Sequence, residues 1–584
     1  DHLLMLLICK RGLVPDLLNS DDWKAFVRHV NPNLKPTPSS EFTTRIIPTE
    51  AAKVKLRTES ALQKAGPSTL TFDGTQSRKD SFYTLHATTP KNEVFFLGGH
   101  FGTKTSHTAE WVKDGALRVM KAVGEDKWAA AVSDSTNTTL AARREITKAI
   151  PTVIDLCDVV HYLQHVIGDI TELPEFAVML SNMKPVIRHF NKSGKAKASL
   201  KDAGAGKGEN GTDVRIHALA SIGKTRFATH FMAVDTVEPA LNHIRELVVQ
   251  GVVKFKDPDL QELFEDPYSS AFLEFAKDLL RYKIIVRPLA RTLWSLEATT
   301  ANPSDAMVFW LAAAHALDSV FAQDPAKTHI SASLAGHIRA AFNDRYHQFF
   351  SHSDIYFVAF CLDPRYPIGD YLRERVAPAP EAPTHIKFSH AFLRVKAFIK
   401  NLLKGLIDQH QKHNSGCNCH PIFKRKTSLE IVRECQAQLE AYWQGEAPFH
   451  APILNDDAME WWENLEIGYS PRSGVLAMLA VRIFGILANS MPDERTNSNI
   501  TWFNSPLRGN QKAENLLDMI LVGQWHKYHA EVRRLIFTFL TQVQLFITGC
   551  KSAASSPESN RGFPTPKPRA LGEGETQSRR PFQQ

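Results

Sequence analysis

Cysteine is scarce in this chain, and the shortage removes whole classes of protein at once. Seven cysteines in 584 residues (Cys9, Cys157, Cys361, Cys417, Cys419, Cys435 and Cys550) form an odd set with no framework spacing. A disulfide-stapled secreted domain is excluded by that pattern, and a reduced, intracellular protein is expected. Long apolar runs are missing too: none reaches the roughly 18–20 residues that a membrane span needs. The opening DHLLMLLICKRGL is apolar but has neither the basic n-region nor the small-residue cleavage site of a signal peptide. It also lacks an initiator Met, as a fragment or an incomplete gene model does. Charge is not concentrated: a net +7 with a pI near 8.9, spread over 65.5 kDa, does not by itself identify a nucleic-acid binder. The phosphate-binding P-loop is absent as well. GAGKG (204–208) has Gly208 where GxxxxGK[ST] needs Ser or Thr, and in SIGKTR (221–226) the residue five before Gly223 is Ala218. No internal repeat is present.

What remains is an ordinary globular composition, 43% hydrophobic and 22% charged, with length for several domains. Residues 1–65 are expected to be helical and accessory. DDWKAFVRHV sets Trp23, Phe26 and Val27 at helical spacing behind Asp21 and Asp22, and NPNLKPTPSS (31–40) reads as a linker. From 66 to 200 the pattern changes. Three strand-like runs, STLTFD (68–73), SFYTLHATT (81–89) and NEVFFLGGH (92–100), are separated by the turn candidates GTQSRKD and PKN and predict a meander. A helix from about His107 to Val123 follows, with Val112, Ala116, Val119, Met120 and Val123 on one face. Then come a strand, WAAAVSD (128–134), a helix, TTLAARREITKA, a strand, TVIDL (152–156), and a helix, VVHYLQHVIGDI.

Three antiparallel strands followed by alternating helix and strand is the order of a ribonuclease H-like fold. Its first and fourth strands lie side by side, so Asp73 and Asp134 are expected next to each other at or just beyond the strand ends. Residues 195–213 read as a solvated Gly/Lys/Ala-rich loop. Residues 215–445 read as almost all helix, broken by Pro-rich VAPAPEAP (376–383). Residues 452–545 are helical again, with GVLAMLAVRIFGIL as a buried element, and 551–584 have the composition of a disordered tail. The fold class expected is α/β plus α: a ribonuclease H-like mixed sheet interrupted by a large all-helical insertion.

Three acidic positions are candidates for chemistry: Asp73, Asp134 and Glu494 in MPDERTN. Three carboxylates on such a sheet can hold two divalent cations and promote in-line displacement at phosphorus, and Mg²⁺ suits carboxylate oxygens. Acidic residues near strand ends are individually common as caps and turn residues. The wider pattern is more specific. LTFDGTQSRKDSFYTLHATTPKNEVFFLGG, HTAEWVKD (107–114), WAAAVSDSTNTTLAARRE and IDLCDVVHYLQHVIGDI resemble successive blocks of hAT-superfamily DNA transposases of the kind common in fungal genomes. KTRFATHF (224–231) is similar to that family's Thr-Arg-Trp segment, with Phe227 in place of Trp. CLDPRYP (361–367) is similar to its Asp-Pro-Arg-Tyr signature. AMEWWENL and the MPDERTN segment resemble its C-terminal dimerisation region, with Trp461, Trp462 and the pair Glu494-Arg495.

The resemblance spans roughly residues 1–545 and implies catalysis at Asp73, Asp134 and Glu494. It further implies two Mg²⁺ or Mn²⁺ ions held there, transposon-end DNA as substrate, self-association as a dimer or higher oligomer, a nuclear location and no membrane. Two departures matter. Where many members have Cys-x-x-His, His161 is preceded at that distance by Asp158, with Cys157 one place early. Met-Pro-Asp stands before Glu494 where Ser-x-x-Ser is usual, which makes Asp493 the fallback acid.

The long separation of Asp134 from Glu494 is more than a loop within one domain needs, and an inserted helical domain accounts for it. The resemblance implies that this insertion helps hold DNA ends, with an aromatic that stacks on a base. Trp294 and Trp310 are the candidates, each also readable as a core tryptophan. His161 and Arg495 complete the DNA-contact candidates, His161 reading first as a structural residue beside the sheet. His410, His413, Cys417, Cys419 and His420 are zinc-type ligands, but C-x-C-H is not a finger spacing; a polar loop is the reading taken and zinc is not expected. The basic clusters at 143–144, 424–426 and 533–534 read as solvated faces, some within reach of phosphate. A DNA transposase that cuts and transfers strands is the leading expectation. A domesticated or decayed derivative that binds DNA and dimerises without catalysis is the alternative, favoured by the lack of an N-terminal zinc-binding BED finger in these residues.

Overall fold

A computed structural model of the chain pairs the strand-like runs into one mixed sheet: β1 Ser68–Ser77, β2 Asp80–Thr88, β3 Val94–Phe101, β4 Trp128–Ser133 and β5 Ile154–Cys157. Their order across the sheet is β3-β2-β1-β4-β5, with β1, β2 and β3 antiparallel and β1, β4 and β5 parallel. Sequence explains the centre of this sheet. Every residue of β4, WAAAVS, is buried, as a parallel strand covered on both faces requires. Thr71 pairs with Val132, so Asp73 and Asp134 each lie two residues further along adjacent parallel strands. One expectation needs adjusting. Asp73 does not end its strand, because Gly74–Ser77 go on pairing with β2.

The description covers residues 1–529 except 78–79, 103–107, 208–212, 216–217, 224–227, 267–268, 367–389, 413–419, 468–469 and 505–510. Asp1–Trp525 make up one folded unit, and His526–Gln584 a second, described only at 526–529. Among the described residues no helix is long and apolar enough to cross a membrane. Cys9, Cys157, Cys361 and Cys435 are buried free thiols.

Helices cover both faces of the sheet. On one face, α1 (His2–Arg11) aside, α2 (Ala109–Val123) and α3 (Asn137–Ala149) set Val112, Ala116, Met120, Ala142 and Ile146 against Leu70, Phe72 and Ala131. Both helices are capped at their start, with Thr108 and Thr136 accepting from the backbone N–H three residues on. On the other face, α4 (Val159–Thr171) packs on Ala130, Val132 and Leu156 and is continuous with the core of the long helical stretch. That stretch is helical over most of its described length, including Ala228–Val249, Ser270–Leu296, Pro303–Phe321, Ala332–Phe350, His390–Lys412 and Ser428–Gln444. α5 (Gly474–Phe484), within the apolar GVLAMLAVRIFGIL run, is buried throughout except for partial exposure at Val481.

Two readings are corrected. The expected loop at 195–213 begins instead as a helix, Gly194–Ala203. Ser193 caps it, and Ala196 and Leu200, one turn apart, are drawn into the core; a short hairpin, Ala205–Lys207 with Asp213–Arg215, follows. The N-terminal helices are not accessory either. Met5, Ile8 and Cys9 of α1 join Phe82 and Phe96 of the sheet, Ile500 and Phe503 of α6 (Met491–Phe503), and Leu516–Val522 of α7 (Ala513–Tyr528) in one apolar cluster. α1 crosses α7 so closely that a Cβ on Gly523 would lie 2.3 Å from the Cys9 carbonyl oxygen.

The contact that positions the site is the docking of α6 on the sheet. Asp493, fully buried in its first turn, accepts hydrogen bonds from Thr71 Oγ1 (2.5 Å) and Thr84 Oγ1 (2.8 Å) and pairs with His86 Nδ1 (2.8 Å). His86 Nε2 reaches Thr496 Oγ1 at 2.9 Å, one turn further along α6, and Gln524 of α7 donates to the same hydroxyl at 2.7 Å. Upstream, Leu487 N–H donates to Thr69 Oγ1 (3.0 Å), and the Ser490 N–H donates to Asp158 (2.8 Å). Replacing Asp493 with Ala strands two buried hydroxyls and an imidazole without their acceptor. We expect a loss of about 3–5 kcal/mol of unfolding free energy in urea denaturation, and a smaller loss for Asp493→Asn, which keeps one acceptor oxygen.

Candidate catalytic site

Three backbone segments deliver acids to one end of the sheet. β1 supplies Asp73, the turn after β4 supplies Asp134, and the first turn of α6 supplies Glu494. Asp73 is nearly buried. Its Oδ1 accepts from the Gly74 N–H (2.8 Å) and its Oδ2 from Asn497 Nδ2 (2.9 Å), one turn beyond Glu494 on α6. Asp134 Oδ1 accepts from Thr139 Oγ1 at 2.5 Å, so the start of α3 fixes the turn. Burial first, and then the negative charges of Asp134 and Glu494, push the Asp73 carboxyl well above the usual carboxylate range, with His161 opposing them. Asp134 and Glu494 therefore both lie close enough to Asp73 to act on it. The adjacent Asp493, the fallback acid, points the other way into the sheet and keeps its oxygens for Thr71, Thr84 and His86.

A cation stands beside these carboxylates. His161, in the first turn of α4, sits with Nδ1 3.1 Å from Asp158 Oδ2 and Nε2 3.6 Å from Glu494 Oε1. Burial works against its charge. The Asp158 carboxylate overrides this, with Asp73 and Glu494 behind it, and holds the imidazolium up to about 10. Asp158 is itself fully buried, which favours its neutral form; the charge of His161 and the donors of Ser490 overcome this and hold it down to about 2. It also caps α4, accepting from the N–H groups of Val160 (2.6 Å) and His161 (3.2 Å). Asp158 thus occupies, as a carboxylate, the position where the resemblance calls for a cysteine.

Cys157 lies elsewhere, accepting from Arg143 Nη2 at 3.2 Å. Arg143, expected on a solvated basic face, is fully buried. Its Nε donates to Asp155 (2.6 Å) and its Nη1 to the Asp134 carbonyl (2.5 Å) and to Ser133, tying the ends of β4 and β5 together. The reason is position: Arg143 lies one turn from both Thr139 and Ile146 on the buried face of α3.

Three groups at the site escaped the sequence reading. Asp158 was signalled, since an Asp directly before an apolar helical run is a standard N-cap. Asn497 shares a helix face with Glu494 at three-residue spacing. Tyr83 had no such signal. It pairs with Gly74 across the β1–β2 ladder, a Cβ there would lie 2.9 Å from its ring, and burial with the charges of Asp134 and Asp73 raises its hydroxyl.

The other candidates separate clearly. Trp310 is fully buried, stacked on Phe349 at 5.7 Å and ringed by Phe342, Tyr346 and Phe350, so it is a core tryptophan and offers no face to a base. Trp294 is 43% exposed and rests on Phe231. Arg495 is exposed and donates to the Glu297 carbonyl. The Asp-Pro-Arg-Tyr segment is a clasp. Buried Asp363 accepts from Ser304 Oγ, and Arg365 bridges Asp363 and Asp305 at 2.7 and 2.8 Å. Trp462 Nε1 donates to the Leu362 carbonyl beside it. His410 and His420 are apart in role, one stacked on Phe423 and the other paired with Glu466 at 2.5 Å. His413, Cys417, Cys419, residues 224–227, VAPAPEAP, the pair at 533–534 and the tail lie outside the described residues.

Divalent cations suit this donor set. Three carboxylates offer hard oxygen ligands, and the mutual repulsion that raises Asp73 is what a bound cation relieves. Among the described residues no three His, Cys, Asp or Glu side chains already close around a single point. No family model and no curated protein matches the chain.

The His161–Asp158 pair makes stability depend on pH in a defined direction. His161 titrates higher in the folded state, near 10 against an ordinary 6.5, so its contribution is complete below the lower value and is lost as pH rises through the upper. Asp158 titrates lower, near 2 against 3.8, so its contribution is present above the upper value and is lost as pH falls through the lower. Denaturation at a series of pH values should show wild type more stable than His161→Gln at pH 6, with the difference shrinking toward pH 10. A pH-independent difference contradicts the pairing.

Proposed function

We propose that this chain is a DNA transposase of the hAT type, with a ribonuclease H-like core that cleaves and transfers DNA strands at Asp73, Asp134 and Glu494. The observation that carries the reading is the meeting of these residues. Two are brought together by adjacent parallel strands, and the third arrives on a helix from the far end of the chain. The order of strands and the run of sequence blocks that resemble the family support it further.

Asp73, Asp134 and Glu494 are the residues that would hold two Mg²⁺ or Mn²⁺ ions. Such ions activate an attacking water or 3′-hydroxyl and offset charge on the leaving oxygen. The chain supplies the rest. Gly74 and Asn497 hold both Asp73 oxygens in one orientation, and Thr139 does the same for Asp134. His161 keeps a positive charge beside Glu494, where the phosphodiester brings negative charge. Arg495 and Trp294 are exposed where a DNA backbone and an unstacked base can meet them. A nuclear location and self-association on DNA ends belong to the same proposal.

A second reading, a derivative that binds DNA without cutting it, has one observation in its favour. Glu494 is already turned toward His161. Strand cleavage decides between them. With matched terminal-repeat DNA and Mg²⁺ or Mn²⁺, the full chain should cut. Asp73→Asn and Glu494→Gln should each reduce the rate by at least about 100-fold. Because Asp73→Asn removes a buried carboxylate that Asp134 and Glu494 repel, its melting temperature should equal or exceed that of the wild type, so lost cutting is not lost folding. Absence of metal-dependent cutting by wild type defeats the enzymatic reading.

A further inference from the structure

Away from the carboxylates, a cavity of about 300 Å³ opens between the segment before β1, the 125–127 turn and the helices His390–Lys412, Pro421–Arg425 and Gly474–Phe484. Its walls are mostly apolar, with Pro67, Leu406, Phe423 and Met478 among them. Arg482, on α5, lines it from the core side and is 5% exposed. One guanidinium nitrogen, Nη2, donates to the carbonyls of Trp128 (2.5 Å) and Thr152 (3.0 Å). Nε is buried with no hydrogen-bond partner. Among the described residues no carboxylate lies within ion-pairing distance of Arg482, although the field of Asp126 reaches it.

This is an unusual place for a positive charge. Buried guanidinium groups normally face a carboxylate or phosphate, because leaving such a charge unpaired in a low-dielectric interior is costly. Burial accordingly draws Arg482 down to about 10, which still leaves it charged at neutral pH. A second polar atom in the same wall, His410 Nδ1, is also buried without a partner, and its ring stacks on Phe423 at 5.5 Å. Glu466, the other acidic group in the wall, is occupied by His420 at 2.5 Å.

We propose that this cavity is a binding site for a small amphipathic carboxylate, its carboxylate seated on Arg482 and its ring or short chain held by Leu406, Phe423 and Met478. A mostly apolar pocket near the lower end of the usual ligand-site volumes, with one convergent charge, is the form such a ligand requires. The site is independent of the strand-cleavage reading and survives its failure.

Calorimetric titration of the full chain tests it. The probes are 1-naphthoate, the uncharged 1-naphthamide, and acetate as head group without body. 1-Naphthoate should bind saturably with a Kd below about 1 mM, and the amide and acetate at least about 10-fold more weakly. Leu406→Trp fills the apolar end without touching Arg482 and should weaken naphthoate at least about 10-fold. Arg482→Met should abolish the preference for naphthoate over naphthamide, provided its thermal transition stays cooperative; Leu406→Trp stands as the test where it does not. No saturable naphthoate binding by wild type, equal binding of the amide, or unchanged affinity in Leu406→Trp overturns the proposal.

Discussion

Asp493 is the constraint on which the rest of the site depends. Its carboxylate is buried under Thr71, Thr84 and His86, three partners on two neighbouring strands. A helix held at that one point, and again through His86 and Thr496 a turn later, has its rotation about its own axis fixed. Successive residues on a helix point about 100° apart. Once Asp493 faces the sheet, Glu494 must swing toward α4 and His161, and Asn497 comes round to Asp73. The buried carboxylate is therefore the reason that the neighbouring one is available. It also closes a long chain path, because the segment that carries it returns to the sheet only after the whole helical stretch.

The electrostatics follow from that placement. Asp73 is nearly buried, and burial first, then the charges of Asp134 and Glu494, raise its affinity for a proton. The fold opposes this with the positive charge of His161, itself held charged by Asp158, and with the donors of Gly74 and Asn497. Asp158 does three things: it caps α4, fixes His161, and ties Ser490 just upstream of α6. Two buried acids, Asp158 and Asp493, organise the region. Asp134 and Glu494 lie nearer to solvent than either.

Much of this was readable in the sequence, for physical reasons. The strand runs show apolar alternation or continuous burial between clear turn residues, so the strands followed from them; the neighbouring of Asp73 and Asp134 was expected from the strand order of a ribonuclease H-like fold. The direction of one helix about its axis was not readable. MPDERTN places two acids side by side, and only the partners on β1 and β2 decide which faces inward. The sequence alone did not separate Trp294 from Trp310, because the aromatic ring around Trp310 comes from a helix some thirty residues later. Arg143 looked like surface because arginine usually is. It is buried because β4 and β5 end with carbonyls and a carboxylate that need its donors. The helix at Gly194–Ala203 was hidden by a composition of Gly, Lys and Ala in which Ala196 and Leu200 are the only signal.

The central claim is that Asp73, Asp134 and Glu494 face a common cation site. Iron(II) with ascorbate tests it directly on the intact protein, since an iron ion seated among the carboxylates cuts the backbone nearest to it. Cuts should appear together near residues 73, 134 and 494, be suppressed by excess Mg²⁺, and disappear at all three places in Asp134→Asn. Cutting at one of these segments alone, or cuts that persist in that variant, would contradict a shared site.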